Sequence, residues 1–148
     1  MNKGILFRGK SANTGEWVEG FCVQFGETYS NIIIREIGKL NLYGVVPIYE
    51  HEIVISETVG QYTGLKDKTG RKIFEGDIVR RFNRNGQEIM SYVVEWCSDC
   101  CMFVLDCIDF DMEFDADFTV YYGNELEIIG NIHDNPELVR KDEENGEV

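Results

Sequence analysis

A chain of 148 residues fits one domain, or two small sub-domains sharing a core. Its 43% hydrophobic and 12% aromatic content suffices to bury an interior and excludes disorder of the whole chain. The net charge of −13 is unevenly laid out: residues 1–84 carry 12 Lys and Arg against 10 Asp and Glu, whereas residues 85–139 carry 13 acids and no base.

The acidic half should repel nucleic acid and anionic membranes, so any nucleic-acid role falls to the first half. No apolar run approaches the ~20 residues that span a bilayer. The opening apolar stretch, Ile5 to Phe7, is too short for a signal-peptide core, and the expected location is the cytoplasm. In that reducing compartment the five cysteines read as free thiols.

In chain order, short apolar runs alternate with turn formers. Ile5 to Arg8 leads into a turn-like Ser11-Ala12-Asn13-Thr14-Gly15, and the run from Trp17 to Phe25 alternates in part. Ile32-Ile33-Ile34 is β-branched throughout and favours a strand. Leu40 to Tyr49 and Ile53 to Ile55 read as further strands. Asp67-Lys68-Thr69-Gly70 suits a tight reverse turn in which Gly70 supplies positive φ. Ile73 to Val79 reads as one extended segment, and Asn85-Gly86 is a hairpin signal. Ser91 to Trp96 and Cys101 to Leu105 then read as strands joined by a turn at Cys97 to Cys100, with Glu125 to Ile132 as the last strand. Asn135 is expected to cap a single helical turn opened by Pro136.

No segment sustains a 3.6-residue apolar period, and no internal repeat is found. The expected class is mainly β: an N-terminal β sub-domain over residues 1–58, an SH3-like, partly open β-barrel over residues 59–139, and a disordered acidic tail over residues 140–148.

The block Gly60-Gln61-Tyr62-Thr63-Gly64-Leu65-Lys66-Asp67, then Gly70, then Ile73-Phe74-Glu75-Gly76-Asp77-Ile78-Val79 resembles the YopX family of phage and prophage proteins. Two further stretches are similar to that family: Phe7-Arg8-Gly9-Lys10 with Gly15 to Gly20, and Ile128 to Leu138. The resemblance implies a small β-rich protein from phage accessory genes, in a family mostly of uncharacterised function, and it carries over no catalytic residue. The central block reads as structural: Gly60, Gly64, Gly70 and Gly76 fit tight turns, and Asp67 and Asp77 can accept backbone N–H groups there. This chain departs from the pattern in an acidic stretch near 109–117 and in its cysteine cluster.

Several constellations suggest chemistry, each beside a plainer reading. Cys97 and Cys100 form a C-x-x-C, a weak metal candidate because no second ligand pair has the required spacing; incidental thiols at a turn are the simpler account. From Asp109 to Phe118 acids and apolar residues alternate, putting five carboxylates on one strand face. A calcium loop would need Gly where Phe114 stands and Glu where Val120 stands, so this reads as a solvated acidic face, or as an imitation of a phosphate row. Lys66, Lys68, Arg71, Lys72, Arg80, Arg81 and Arg84 form a basic run interleaved with Tyr62, Phe74 and Phe82. That run could grip a nucleic-acid backbone, or be hairpin surfaces paired internally with the acidic half. His51 and His133 sit in no recognisable catalytic arrangement.

The sequence-level expectation is therefore a non-catalytic binding module with no cofactor and no resident metal. Its expected partner is a protein, from the host or a second copy of itself in a homo-oligomer, with no membrane role. The alternatives are a nucleic-acid-associated regulator using the basic hairpins, an acidic DNA mimic or inhibitor, and a small enzyme of unknown class.

Overall fold

Beta-branched and aromatic residues at alternating positions build strands almost throughout the computed structural model, which describes residues 4–25, 30–41, 43–109, 116–117 and 125–139. The expected acidic strand face from Phe110 to Asp115 and the tail over residues 140–148 lie outside the described residues. The strands are β1 (Phe7–Lys10), β2 (Trp17–Phe25), β3 (Ser30–Asn41), β4 (Val45–Val54), β5 (Gly60–Lys66), β6 (Lys72–Phe74), β7 (Asp77–Phe82), β8 (Glu88–Cys97), β9 (Met102–Cys107), β10 (Ala116–Asp117) and β11 (Leu126–Asn131). Among the described residues helical structure is confined to two 3-10 turns, Ser56–Thr58 and Pro136–Leu138.

The protein is mainly β, in two antiparallel sheets, neither closed into a barrel. The chain divides into two compact units, Met1–Tyr62 and Thr63–Val148.

In the first unit the strand order is β4-β3-β2-β1, with the start of β5 beside β1. Strand β2 changes partner midway: Trp17 to Gly20 pair with β1, and Phe21 to Phe25 pair with β3. Gly20 stands at this switch because β3 passes too close for a side chain; a Cβ there would lie 2.2 Å from the Ile34 carbonyl oxygen. The end of β4 returns to β1, where Ser11 bridges Val54, Ala12 N–H donates to the Ile53 carbonyl (2.9 Å) and Ile55 N–H donates to the Lys10 carbonyl (2.8 Å). Inside this turn of sheet lie Ile33 and Val54, with Gly9 against the Val54 side chain. Two buried hydroxyls fasten the corner. Ser11 donates to the Glu52 carboxylate and accepts Thr14 N–H (3.1 Å), while Thr58 donates to the Ile55 carbonyl (2.6 Å) and accepts Lys10 N–H (2.8 Å).

The Ile53 carbonyl, turned away from β3 toward Ala12 N–H, shows which backbone groups of β4 face outward. Odd-numbered residues of β4 turn their backbone groups away from β3, so Pro47 sits where it would face outward and has no N–H to offer.

In the second unit the five-stranded sheet runs β10-β9-β8-β7-β11. Ile73, Val79, Tyr92, Val94, Leu105, Leu126 and Ile128 form its core, with Leu65, Met90 and Phe103 packed at the margin. Ile78, Val93 and Val104 are buried on the opposite face, so the central strands are apolar on both sides.

Three local expectations are corrected. The run Leu40 to Tyr49 is not one strand: a turn at Tyr43-Gly44 divides it, and Tyr49 continues into β4 through to Val54. The segment Ile73 to Val79 is not continuous: it is broken at Glu75-Gly76, where Gly76, expected at a tight turn, takes φ 84° and closes the turn between β6 and β7. Pro136 does open a helical turn, but Asn135 makes no capping bond to it; its side chain instead accepts the Asn131 N–H (3.3 Å).

Candidate functional site

The central block is a hydrogen-bond clamp. Strand β5 ends at Lys66, and the turn that follows presents the Asp67 carboxylate to converging donors. Oδ1 accepts Thr69 N–H (2.8 Å), Thr69 Oγ1–H (2.7 Å) and Arg71 N–H (3.0 Å), and Oδ2 accepts Ile128 N–H (3.1 Å). Lys68 N–H donates to the Leu126 carbonyl (2.8 Å), so this turn covers the outer edge of β11. Burial pushes the Asp67 carboxyl upward, but the bonds from Thr69, Ile128 and Arg71 outweigh it and hold the group below its ordinary value. Asp77, fully buried, accepts Phe74 N–H (2.8 Å) across the next turn. Thr63 donates to the Ile73 carbonyl (2.9 Å), and Gly64 and Gly70 take positive φ. Gly60 is buried, Gln61 and Tyr62 are half-buried beside it, and Glu75 is half-buried at the turn into β7. The polar side chains of this block close their own turns, as Asp67 does with Thr69 and Arg71, or tie one backbone segment to the next, as Asp67 does with Ile128 and Thr63 with Ile73.

The basic residues are not one surface. Arg80 and Arg81 are adjacent on β7 and point to opposite faces. Arg80 pairs with Glu88 (3.0 Å), Arg81 with Glu125 (3.1 Å), and Lys68 with Glu127 while lying 3.6 Å over the Phe82 ring. Acids of the second half thus sit beside Lys68, Arg80 and Arg81. Lys66, Arg71, Lys72 and Arg84 are exposed, with Arg84 in the β7–β8 turn away from the other three in sequence.

Cys97 ends β8, and Cys100 and Cys101 occupy the β8–β9 turn, Cys101 with φ 53°. Cys100 N–H points at the Cys97 sulfur (3.2 Å). Among the described residues no group of three or more His, Cys, Asp and Glu is placed to hold a metal ion. His51 lies on the opposite face of β4 from Glu50, which pairs with Arg35 (3.1 Å), and from Glu52, which takes the Ser11 hydroxyl.

A different surface stands out in the first unit. On the outer face of its sheet, register places Phe21 and Val23 of β2, Ile32 and Ile34 of β3, and Tyr49, His51 and Ile53 of β4 side by side. Phe21, Tyr49 and Ile53 are each at least 50% exposed. Ile32, Ile34, Tyr49, Glu50 and His51 line a hollow of about 310 Å³ on it. Sequence reasoning treated the apolar residues of this face only as strand formers, and weighed His51 only as a catalytic candidate. The signal was present in Ile32-Ile33-Ile34: three consecutive branched residues put apolar groups on both faces, although the inner face needed only Ile33.

Fold and surface together define a two-sheet antiparallel β protein with a hydrogen-bonded central clamp and an apolar outer face. The YopX protein family model matches residues 6–140, and the chain belongs to that family. The structure is similar to that of protein EF1440 from Enterococcus faecalis, with a TM-score of 0.51 and 24% identity, over 93% of this chain and 99% of that one. Comparison with curated proteins finds no match.

Proposed function

We propose that this chain is a non-catalytic protein-interaction module, encoded among the accessory genes of a phage or prophage and acting in the bacterial cytoplasm. One observation carries the reading: the outer face around Phe21, Ile34, Tyr49 and Ile53 exposes contiguous apolar surface where a solvated sheet would be polar. The partner is a protein, from the host or a second copy of the chain. On this reading the clamp around Asp67 is scaffold, and the five strands from Asp77 onward are an opened relative of the SH3-like barrel, with no cofactor in either unit.

The test is a tagged pull-down from host lysate, with and without nuclease, comparing the wild type with Phe21→Lys/Tyr49→Lys. A protein retained after nuclease by the wild type and lost from the variant supports the proposal; equal retention by both removes this face from it. The second reading, nucleic-acid contact, is favoured by the exposure of Lys66, Arg71, Lys72 and Arg84. It predicts enrichment that disappears with nuclease and with rising salt.

A further inference from the structure

The β3–β4 hairpin extends well past the sheet that supports its base. Strand β2 pairs with β3 only from Ser30 to Ile34, whereas β3 and β4 continue pairing to Asn41 and Val45. Beyond Ile34 the described residues give this hairpin no third strand, and a two-stranded ribbon is marginal alone in water. Its composition is the reverse of what a solvated ribbon needs. Ile37, Leu40, Tyr43, Val45 and Val46 are 56%, 49%, 107%, 67% and 51% exposed. Its charges cancel locally, Arg35 with Glu50 and Lys39 with Glu36, so the arm is near neutral in a chain of net charge −13.

From this geometry we propose that the arm docks on a second copy of the chain, its apolar tip seated in the partner copy's hollow between Ile32, Ile34, Tyr49 and His51. This rests on the interaction-module reading and names its partner and surface. Three observations select a second copy. First, the molecule carries both halves of the contact, an apolar projection and an apolar hollow of about 310 Å³, large enough for the Tyr43 ring. Second, Tyr43 lies six residues from Tyr49, a span of roughly 20 Å along the strand, so the arm cannot reach its own hollow without unpairing. Third, two chains of net charge −13 repel unless they meet where charge is locally cancelled, and the arm is such a place.

The area is adequate. Five side chains at these exposures present on the order of 100 Å² each, roughly 500 Å² per arm. Val45 and Val46 point to opposite faces of the ribbon, so a docked arm brings chiefly Tyr43 and Val45, roughly 300 Å². Two arms against an equal area of two partner hollows then bury on the order of 1,200 Å² in total, the lower end of a stable two-fold interface.

The experiment is light scattering after size exclusion on the full-length chain across a concentration series. It compares the wild type with Tyr43→Ser/Val45→Ser on the arm and, separately, His51→Asp in the hollow. The expected result is a wild-type mass twice 17.0 kDa at micromolar concentration, with each variant dissociating at roughly tenfold higher concentration or more and keeping the wild-type far-UV spectrum. Two variants on opposite sides of the contact keep the test decisive if one fails to fold. A wild type that is monomeric to about 100 μM, where weak dimers would form, overturns the proposal. So does an oligomer that both variants leave intact. A monomeric wild type that still retains a host protein in the pull-down overturns self-docking alone and leaves the interaction reading standing.

Discussion

Asp67 shows how one carboxylate can hold two distant stretches of chain. Its four accepted bonds reach from Thr69, two residues away, to Ile128, 61 residues away. Asp67→Asn would keep Oδ1 but turn an amide N–H₂ toward the Ile128 N–H, setting donor against donor. The expected cost is about 1.5–3 kcal/mol at neutral pH, read by urea unfolding. Because the folded group is held below its ordinary value of 3.8, its contribution is present above that pH and is lost as pH falls through the lower folded value. The stability gap between wild type and Asp67→Asn should therefore be full at pH 7 and shrink below about pH 4; a gap that is the same at pH 7 and pH 3 would contradict it. Gly20 makes a complementary point about space. Placing a methyl 2.2 Å from the Ile34 carbonyl oxygen forces β2 and β3 apart at the partner switch. Gly20→Ala should cost roughly 2–4 kcal/mol, whereas the same change at the open Gly38 should cost well under 1 kcal/mol.

At the level of elements, the legible strands are those whose ends are marked by polar turns. Strand β2 spans Trp17 to Phe25 as its alternation indicates, and the β7–β8 turn closes at Asn83 to Gly86, where Asn83 Oδ1 accepts the N–H groups of Asn85 and Gln87 at 2.9 Å each. The β3–β4 turn is hidden because it lies inside an apolar run: Asn41 and Gly44 are its only turn formers, and they are separated by Leu42 and Tyr43 rather than joined as the Asn-Gly pair that marks the β7–β8 turn. The same concealment hid the arm, since an arm is visible only once the turn is placed. The basic run was plain in the sequence, but its ion pairs were not, because Arg81 and Glu125 are 44 residues apart and meet only through the pairing of β7 with β11. Strand support makes a further test. In chain diluted until monomeric, amides of Gly38 to Asn41 should exchange with solvent markedly faster than those of Ile32 to Ile34, which have strands on both sides. Uniform protection along β3 would mean that the arm is supported within one chain.

For the molecule as a whole, 27 acids against 14 bases dominate behaviour away from contact. Solubility should fall sharply as pH approaches the isoelectric point near 4.5, where mutual repulsion vanishes and the exposed apolar face is no longer kept from its neighbours. A turbidity scan from pH 7 downward should peak there, and Phe21→Lys/Tyr49→Lys should lower that peak. A scan in which the variant matches the wild type would show that aggregation starts elsewhere. Pro47 bears on what such encounters can become. A neighbouring strand laid along the outer edge of β4 would find the donor missing at that residue, partway along the strand. Backbone templating, the route by which sheet edges recruit copy after copy into fibres, is therefore interrupted at its first step. With the ladder broken at Pro47, contacts at this edge lean more on side chains, whose shapes can be satisfied once and then stop, and this favours a particle of finite size over a fibre.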